Sequence, residues 1–542
     1  MFTRVSTRLV YGISPLLLVA LVGCNGDDTT SDTAASTGST GTMASTTSAM
    51  TSTSNGSASE SSSTSPTSGM SDSMTGTSSG TSTTDPTATG TTGTTGTTAD
   101  PTGTTGNPSS TTAVDPTTGT TDGVTSTTDP TTGTTGVMCD PDKVCGNDCC
   151  DVGEICKADV CKPDCNPGDM MGMVDKSFIW VPDTAAGTVA KINTQTMTEL
   201  ARYRIGPSGG TESPSRTAVS ADGRFVVVNS RGTGRSTAVA ANLDDCIDLN
   251  NNGVIDTSQA PNDIKAWGAD ECVVWTIVHG EWSGGYSHGP RGITWTLGNW
   301  NEDLCVFENP KVWLGYVSKT AGTAHFVRLD GATGTLETTI PAPSWAGSNY
   351  APYGGALDPQ QRPWFTGLRG ELVRVNTDMN PITLSRWTQP TNVQTYGMTV
   401  DSEGNPWMAG CSGPVSTYSV AENKWYNVAG TSACHRGMAI DGNGHAWVAS
   451  NGPCQVVEID AKTRTLIAKH NPVLNGVAKC STAIGVSVDI EGFVWVIDQS
   501  GWGWKIDPNA PQPANWKYMP IPGNHYVYSD MTGGQLKSVI PM

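Results

Sequence analysis

The chain has 542 residues and a formal net charge of −19, which leaves room for more than one domain. Residues 25 to 138 contain no Lys or Arg and almost no large apolar side chains, so they cannot build a core. An acidic chain without a basic run is a poor nucleic-acid binder, and the absence of H-E-x-x-H and Walker motifs removes two common enzymatic readings.

The first 24 residues, "MFTRVSTRLVYGISPLLLVALVGC", place Arg4 and Arg8 before an apolar run and a small residue before Cys24. That is the layout of a secretory signal. The run is short for a bilayer span, which needs about 20 residues, and no other segment is apolar enough to cross. The ending Leu21-Val22-Gly23-Cys24 resembles the lipobox of bacterial lipoproteins. The resemblance implies removal of the signal and acylation of Cys24, a membrane anchor. An ordinary secretory signal with an unrelated cysteine is the alternative. Asn25 rather than Asp follows the cysteine, so the inner-membrane retention signal is missing and the expected location is the cell envelope, at the outer membrane or cell surface. Each buried methylene contributes only about 0.8 kcal/mol, so stable anchoring needs more than one acyl chain, which the lipobox type of modification supplies.

Residues 25 to 138 form a low-complexity tether of Thr, Ser, Gly and Pro, in which "DP" recurs at Asp85, Asp100, Asp115 and Asp129. Ten acidic residues sit here, so about half of the net negative charge belongs to the tether and not to a binding surface. A flexible chain of this length spans on the order of 60 Å. Residues 139 to 165 then hold seven cysteines, 139, 145, 149, 150, 156, 161 and 165. A small exported segment without a core is expected to be stapled by disulfides; a zinc site using Cys145, Cys149 and Cys150 is the competing reading. Because seven is odd, one cysteine pairs elsewhere, with Cys305 a candidate.

From 166 to 542 the sequence repeats itself. "YGGALDPQQRPW" (353–364), "YGMTVDSEGNPW" (396–407), "RGMAIDGNGHAW" (436–447) and "IGVSVDIEGFVW" (484–495) share Gly, an apolar alternation, Asp, a turn and Trp. Each reads as a strand, a tight turn and a second strand, with an outer hairpin such as "QVVEIDAKTRTLIAKH" (455–470) after it. Four strands per repeat of about 40 to 48 residues is the size of a β-propeller blade. Degenerate copies toward the N-terminal side bring the expectation to an all-β, seven-bladed propeller, or six blades if the second and third are miscounted. The tail "YSDMTGGQLKSVIPM" is expected to complete the first blade. Cys411 and Cys454 follow a Trp strand while Cys434 and Cys480 precede the next inner strand, which predicts bridges 411–434 and 454–480. The repeated Trp residues read as packing between blades.

"DLNNNGVID" (248–256) lies in an insertion of the second blade between Cys246 and Cys272, which are expected to pair. In a calcium loop Asp248, Asn250 and Asn252 would offer side-chain oxygens, Gly253 the sharp turn, Val254 a backbone carbonyl and Asp256 a direct or water-mediated contact. The twelfth position is Gln259 rather than the usual Glu, and Asp270 or Glu271 could supply the missing carboxylate. The expected cofactor is a structural Ca2+, because a switch needs helices that open. A plain Asn-Gly turn is the alternative.

The residue before the Gly of each repeat should face the central channel: Arg291, Tyr353, Tyr396, Arg436 and Ile484, with Ser215 and Arg216 in the second blade. Arginines and tyrosines around one opening suit an anionic or glycan ligand. Pairing of the arginines with Asp401 or Asp441 is the alternative, although those aspartates read as turn formers. The repeat x-G-apolar-x-x-D-x-x-G-x-x-W resembles that of streptogramin B lyases, seven-bladed propellers that open a cyclic depsipeptide with a metal ion. The resemblance is clear over about 350 to 500 and implies a catalytic histidine. His435 is its nearest match, one place out of register, with Arg436 as electrostatic support and Mg2+ as the metal in that reading. His279, His288 and His325 stand alone in the sequence. The preferred expectation is a surface-anchored lipoprotein whose propeller binds a ligand or a protein partner; the alternative is a lyase or lactone-opening enzyme at the channel mouth.

Overall fold

The computed structural model describes residues 144–146, 148–151, 154–164, 177–347, 349–472, 476 and 480–537. The signal segment, Cys24, the tether and Cys139 lie outside these residues.

The recurring Asp and Trp explain why each repeat folds as it does. In four blades the Asp side chain accepts the indole N–H of the Trp six residues on: Asp358 from Trp364 (3.0 Å), Asp401 from Trp407 (2.8 Å), Asp441 from Trp447 (2.8 Å) and Asp489 from Trp495 (2.9 Å). The other oxygen of each accepts two backbone N–H groups of the intervening turn, as Asp441 does from Asn443 (2.8 Å) and His445 (3.0 Å). One carboxylate thus fixes both the turn and the entry of the next strand. All four Trp side chains are fully buried, as packing between blades requires.

The strands assemble into seven sheets around an axis, each running in sequence order from an inner to an outer strand. Blade 1 has three strands, Phe178–Asp183, Thr188–Asn193 and Thr198–Arg204. Each later blade has four, with inner strands Pro214–Val219, Ile293–Trp295, Gly354–Leu357, Gly397–Val400, Cys434–Ile440 and Ala483–Val488. Seven blades therefore settle the choice between six and seven. The repeat glycines let neighbouring inner strands approach backbone to backbone. A Cβ on Gly397 would come within 2.4 Å of the Arg436 carbonyl oxygen, and one on Gly437 within 2.6 Å of that of Ile484.

The expected closure is present. The C-terminal segment takes the inner place of blade 1, with Trp180 donating to the Met531 carbonyl (2.9 Å) and Thr184 to that of Asn524 (2.8 Å). It is also held from blade 2, where Thr217 N–H donates to Ser529 Oγ (2.8 Å), and from blade 7, where Ser487 Oγ accepts from Met531 N–H (2.9 Å). Val527 and Met531 complete an apolar cluster with Ile179, Val181, Ile484 and Trp495.

Disulfides pair Cys145 with Cys156, Cys150 with Cys161, Cys246 with Cys272, Cys411 with Cys434 and Cys454 with Cys480. The last two are the bridges predicted from the repeat, and Cys246–Cys272 is the one expected to close the blade 2 insertion. Cys149 and Cys305 are disulfide-bonded as well. The cysteine-rich segment lies beside a hairpin inserted in blade 3, Asn299–Asn301 and Val306–Glu308, through Lys157–Glu302 (3.8 Å) and Lys162–Asp303 (3.2 Å).

Candidate functional site

All inner strands run the same way, so the residues before the repeat glycines gather at one end of the axis and the Asp turns at the other. At the first end Arg216, Arg291, Tyr353, Tyr396 and Arg436 come together, as expected. The tail adds Tyr526 and Tyr528, and loops add Arg231, Tyr286 and Tyr350. The guanidiniums lie over aromatic faces. Arg216 is 5.0 Å from the ring centre of Tyr353 and 4.3 Å from that of Tyr528, and Arg436 is 4.2 Å from Tyr396. Arg231 is 4.1 Å from both Tyr286 and Tyr526, and Arg291 is 5.2 Å from Tyr353. The rings join one another edge to face, with Tyr353–Tyr396 at 5.5 Å and Tyr396–Tyr528 at 5.3 Å, and the Tyr353 and Tyr526 hydroxyls hydrogen-bond at 2.7 Å.

The cluster is closed. Arg216, Arg291, Tyr353 and Tyr528 are each no more than 2% exposed, while Tyr286 and Tyr350 are half-buried. Cation–π contacts of desolvated rings contribute about 2 kcal/mol each, which offsets part of the cost of removing these charges from water. Burial holds the Arg216 guanidinium below its ordinary pKa, with Arg291 adding to that effect and the Tyr353, Tyr526 and Tyr528 rings opposing it. The expected alternative, pairing with Asp401 or Asp441, is not what these arginines do, since both aspartates are committed to their Trp and turn.

His435 and Arg436 are adjacent in the chain but have different surroundings. His435 is fully buried, its Nε2 against the Thr431 carbonyl, and burial depresses its pKa. Among the described residues, trios of His, Cys, Asp or Glu close enough to share an ion occur at Cys145/Cys150/Cys161 and Cys454/Cys480/Asp498. Neither includes His435, and both are built on disulfide cysteines. His445 donates from Nδ1 to Glu458 (2.9 Å), which also accepts from His470 Nε2 (2.8 Å). His279 is buried on Tyr316 at 5.0 Å between ring centres.

Below the cluster the axis holds a void with room for about one water, lined by Ala218, Ile293, Ala356, Thr399, Asp530 and Gln535. Asp530 is the titratable group there, and burial pushes its pKa up to about 6.

The blade 2 insertion is wound around its own oxygens. Asp248 accepts the N–H groups of Asn252 (3.2 Å) and Gly253 (2.8 Å), and Asn252 Oδ1 accepts that of Val254 (2.7 Å). The amides of Asn250 and Asn252 donate to Asp256 (2.8 and 3.2 Å). Of the two acids suggested for the missing position, Glu271 reaches the loop. Its carboxylate is 2% exposed and accepts from Leu249 (2.8 Å) and Asp256 (2.7 Å). Asp270 instead binds Thr257 Oγ1 (2.7 Å) and Ser258 N–H (3.1 Å).

Sheets, closure and axial cluster together define a seven-bladed β-propeller with a buried cluster of arginines and tyrosines at one end of its axis. No protein-family model and no curated protein matches the chain. Among solved structures it is similar to a streptogramin B lyase, with 14% identity and a TM-score of 0.41 over 60% of this chain and 87% of that one. It is also similar to a Lactobacillus plantarum protein at 14% identity, with a TM-score of 0.43 over 65% of this chain and 98% of that one. AztD from Citrobacter koseri is a third, at 9% identity and a TM-score of 0.40 over 65% and 96%. These likenesses concern the fold alone.

Proposed function

We propose that the protein is a surface-anchored lipoprotein whose propeller is a ligand-binding module, with its site at the arginine and tyrosine end of the axis. The observation that supports this reading is convergence. Arg216 and Arg231 of blade 2, Arg291 beside blade 3, Tyr353, Tyr396 and Arg436 of blades 4 to 6, and two tail tyrosines meet in one cluster. A fold needing only apolar packing at its axis has no use for four arginines there. Anionic and glycan ligands both suit such a set, arginine through its fork of donors and tyrosine through its amphipathic ring. Cys24 would carry the lipid and the tether would hold the propeller off the outer membrane. Fractionation tests the anchor: Cys24→Ala should move the protein from the membrane fraction to the soluble one, and retention in the membrane would contradict it.

The blade 2 loop offers a hard-oxygen donor set suited to Ca2+: Asp248, Asn250, Asn252, Asp256, the Val254 carbonyl and the buried Glu271. There the ion would offset two of the three carboxylate charges and order an exposed insertion. The lyase reading stands on the repeat and on His435. Mass spectrometry of the full chain with cyclic depsipeptides and Mg2+ tests it, because product that disappears in His435→Ala would replace the binding reading with an enzymatic one.

A further inference from the structure

We propose that Arg216 and Arg436 bind a small ligand through its oxyanion, a carboxylate or phosphate group seated between their guanidiniums beside Tyr528. This rests on the binding reading above and narrows its ligand class.

Two arginines outside the cluster are paired with acids. Arg202, 6% exposed, meets Glu199 at 2.7 Å and Asp183 at 3.3 Å, and Arg362 meets Asp358 at 2.9 Å. Arg216 and Arg436 break that pattern. Arg216, 1% exposed, donates from Nε to the Tyr353 carbonyl (3.3 Å) and from one terminal nitrogen to the Ser215 carbonyl (2.8 Å), and its other terminal nitrogen has no hydrogen-bond partner. Arg436, 7% exposed, reaches the Tyr528 hydroxyl only at 3.5 Å, and its Nε has no partner. A buried cation with unmatched donors is costly, and ring faces do not satisfy N–H groups. A carboxylate or phosphate would supply both the charge and the acceptors, in the geometry a guanidinium fork matches. A neutral sugar would supply acceptors alone.

The two guanidiniums share the Tyr528 ring, at 4.3 and 6.0 Å from its centre, and the oxyanion would lie beside that ring, between them. Tyr526 and Tyr528 belong to the closing tail, so the anion also pins the seam of the ring.

The test is thermal unfolding of the full chain titrated with sodium phosphate and sodium acetate against sodium chloride at constant ionic strength, beside Arg216→Met and Arg436→Met. The wild type should show a saturable rise in Tm, with apparent affinity at least about tenfold weaker in each variant, and each variant should melt no lower than wild type without anion. An unsaturated rise shared by all three proteins is the general salting effect and would overturn the inference. A sugar response that survives both substitutions would overturn it while leaving the binding reading intact, and silence toward anions and sugars alike would sink both. If the methionine variants fail to fold, amide exchange in the wild type decides: phosphate should slow exchange over residues 524–532, and unchanged exchange contradicts the proposal.

Discussion

Asp530 and His279 carry opposite pH dependences that a single substitution should separate. Asp530 sits on the closing tail beside the axial void, accepting the N–H groups of Thr532 (3.1 Å) and Gly533 (2.9 Å). Burial raises its pKa to about 6, whereas burial lowers that of His279 to about 4. An unfolded Asp titrates near 3.9, so from about pH 4 to 6 the folded state keeps a proton that the unfolded chain has lost, and stability falls by about 3 kcal/mol as pH rises. An unfolded His titrates near 6.5, so over about pH 4 to 6.5 the unfolded chain holds the extra proton, and stability rises by about 3 kcal/mol. In the wild type the two nearly cancel. Asp530→Asn keeps an acceptor for both N–H groups and removes the falling component. Urea unfolding at several pH values should find the variant more stable by about 2–3 kcal/mol near pH 7.5 and equal to wild type near pH 4, with a rising slope between. A difference that does not change with pH would refute the reasoning.

Asp441→Ala strands the Trp447 indole N–H and two turn N–H groups, and should lower stability by about 3 kcal/mol in denaturant unfolding. Replacing Cys411 and Cys434 by Ser opens a bridge with a sequence separation of 23, which should cost about 3 kcal/mol by the loop-entropy relation, read as a lower Tm under non-reducing conditions. Chelation of Ca2+ should lower the Tm of the wild type and leave Glu271→Gln almost unmoved; equal melts of the wild type with and without chelator would contradict the calcium loop.

Much of the fold was legible in the sequence because a blade is a local device. The Gly, Asp and Trp positions of residues 353–364, 396–407, 436–447 and 484–495 encode close strand approach, turn and packing within a dozen residues, and two disulfides followed from where cysteines fall relative to that unit. The axial residues before the repeat glycines were legible for the same reason. Tyr526, Tyr528, Arg231, Tyr286 and Tyr350 were not assigned to the site, since loops and ring closure bring them there and no local period marks them. The alternation in "YVYSDM" (526–531) was the available signal for the tail. Choosing Glu271 over Asp270 likewise needed the folded insertion, because the two are adjacent and only the strand entry decides which one faces the loop.

The central claim is that the axial cluster binds a ligand. Its most direct test is the Tm of the full chain across a panel of carboxylates, phosphate esters, sulfated sugars and neutral sugars, with Arg436→Met alongside. At a hundredfold excess over Kd a true ligand stabilises by about 2.7 kcal/mol. The account predicts at least one compound with a saturable rise that Arg436→Met diminishes. A flat panel in the wild type, or a response that the variant retains in full, would contradict it.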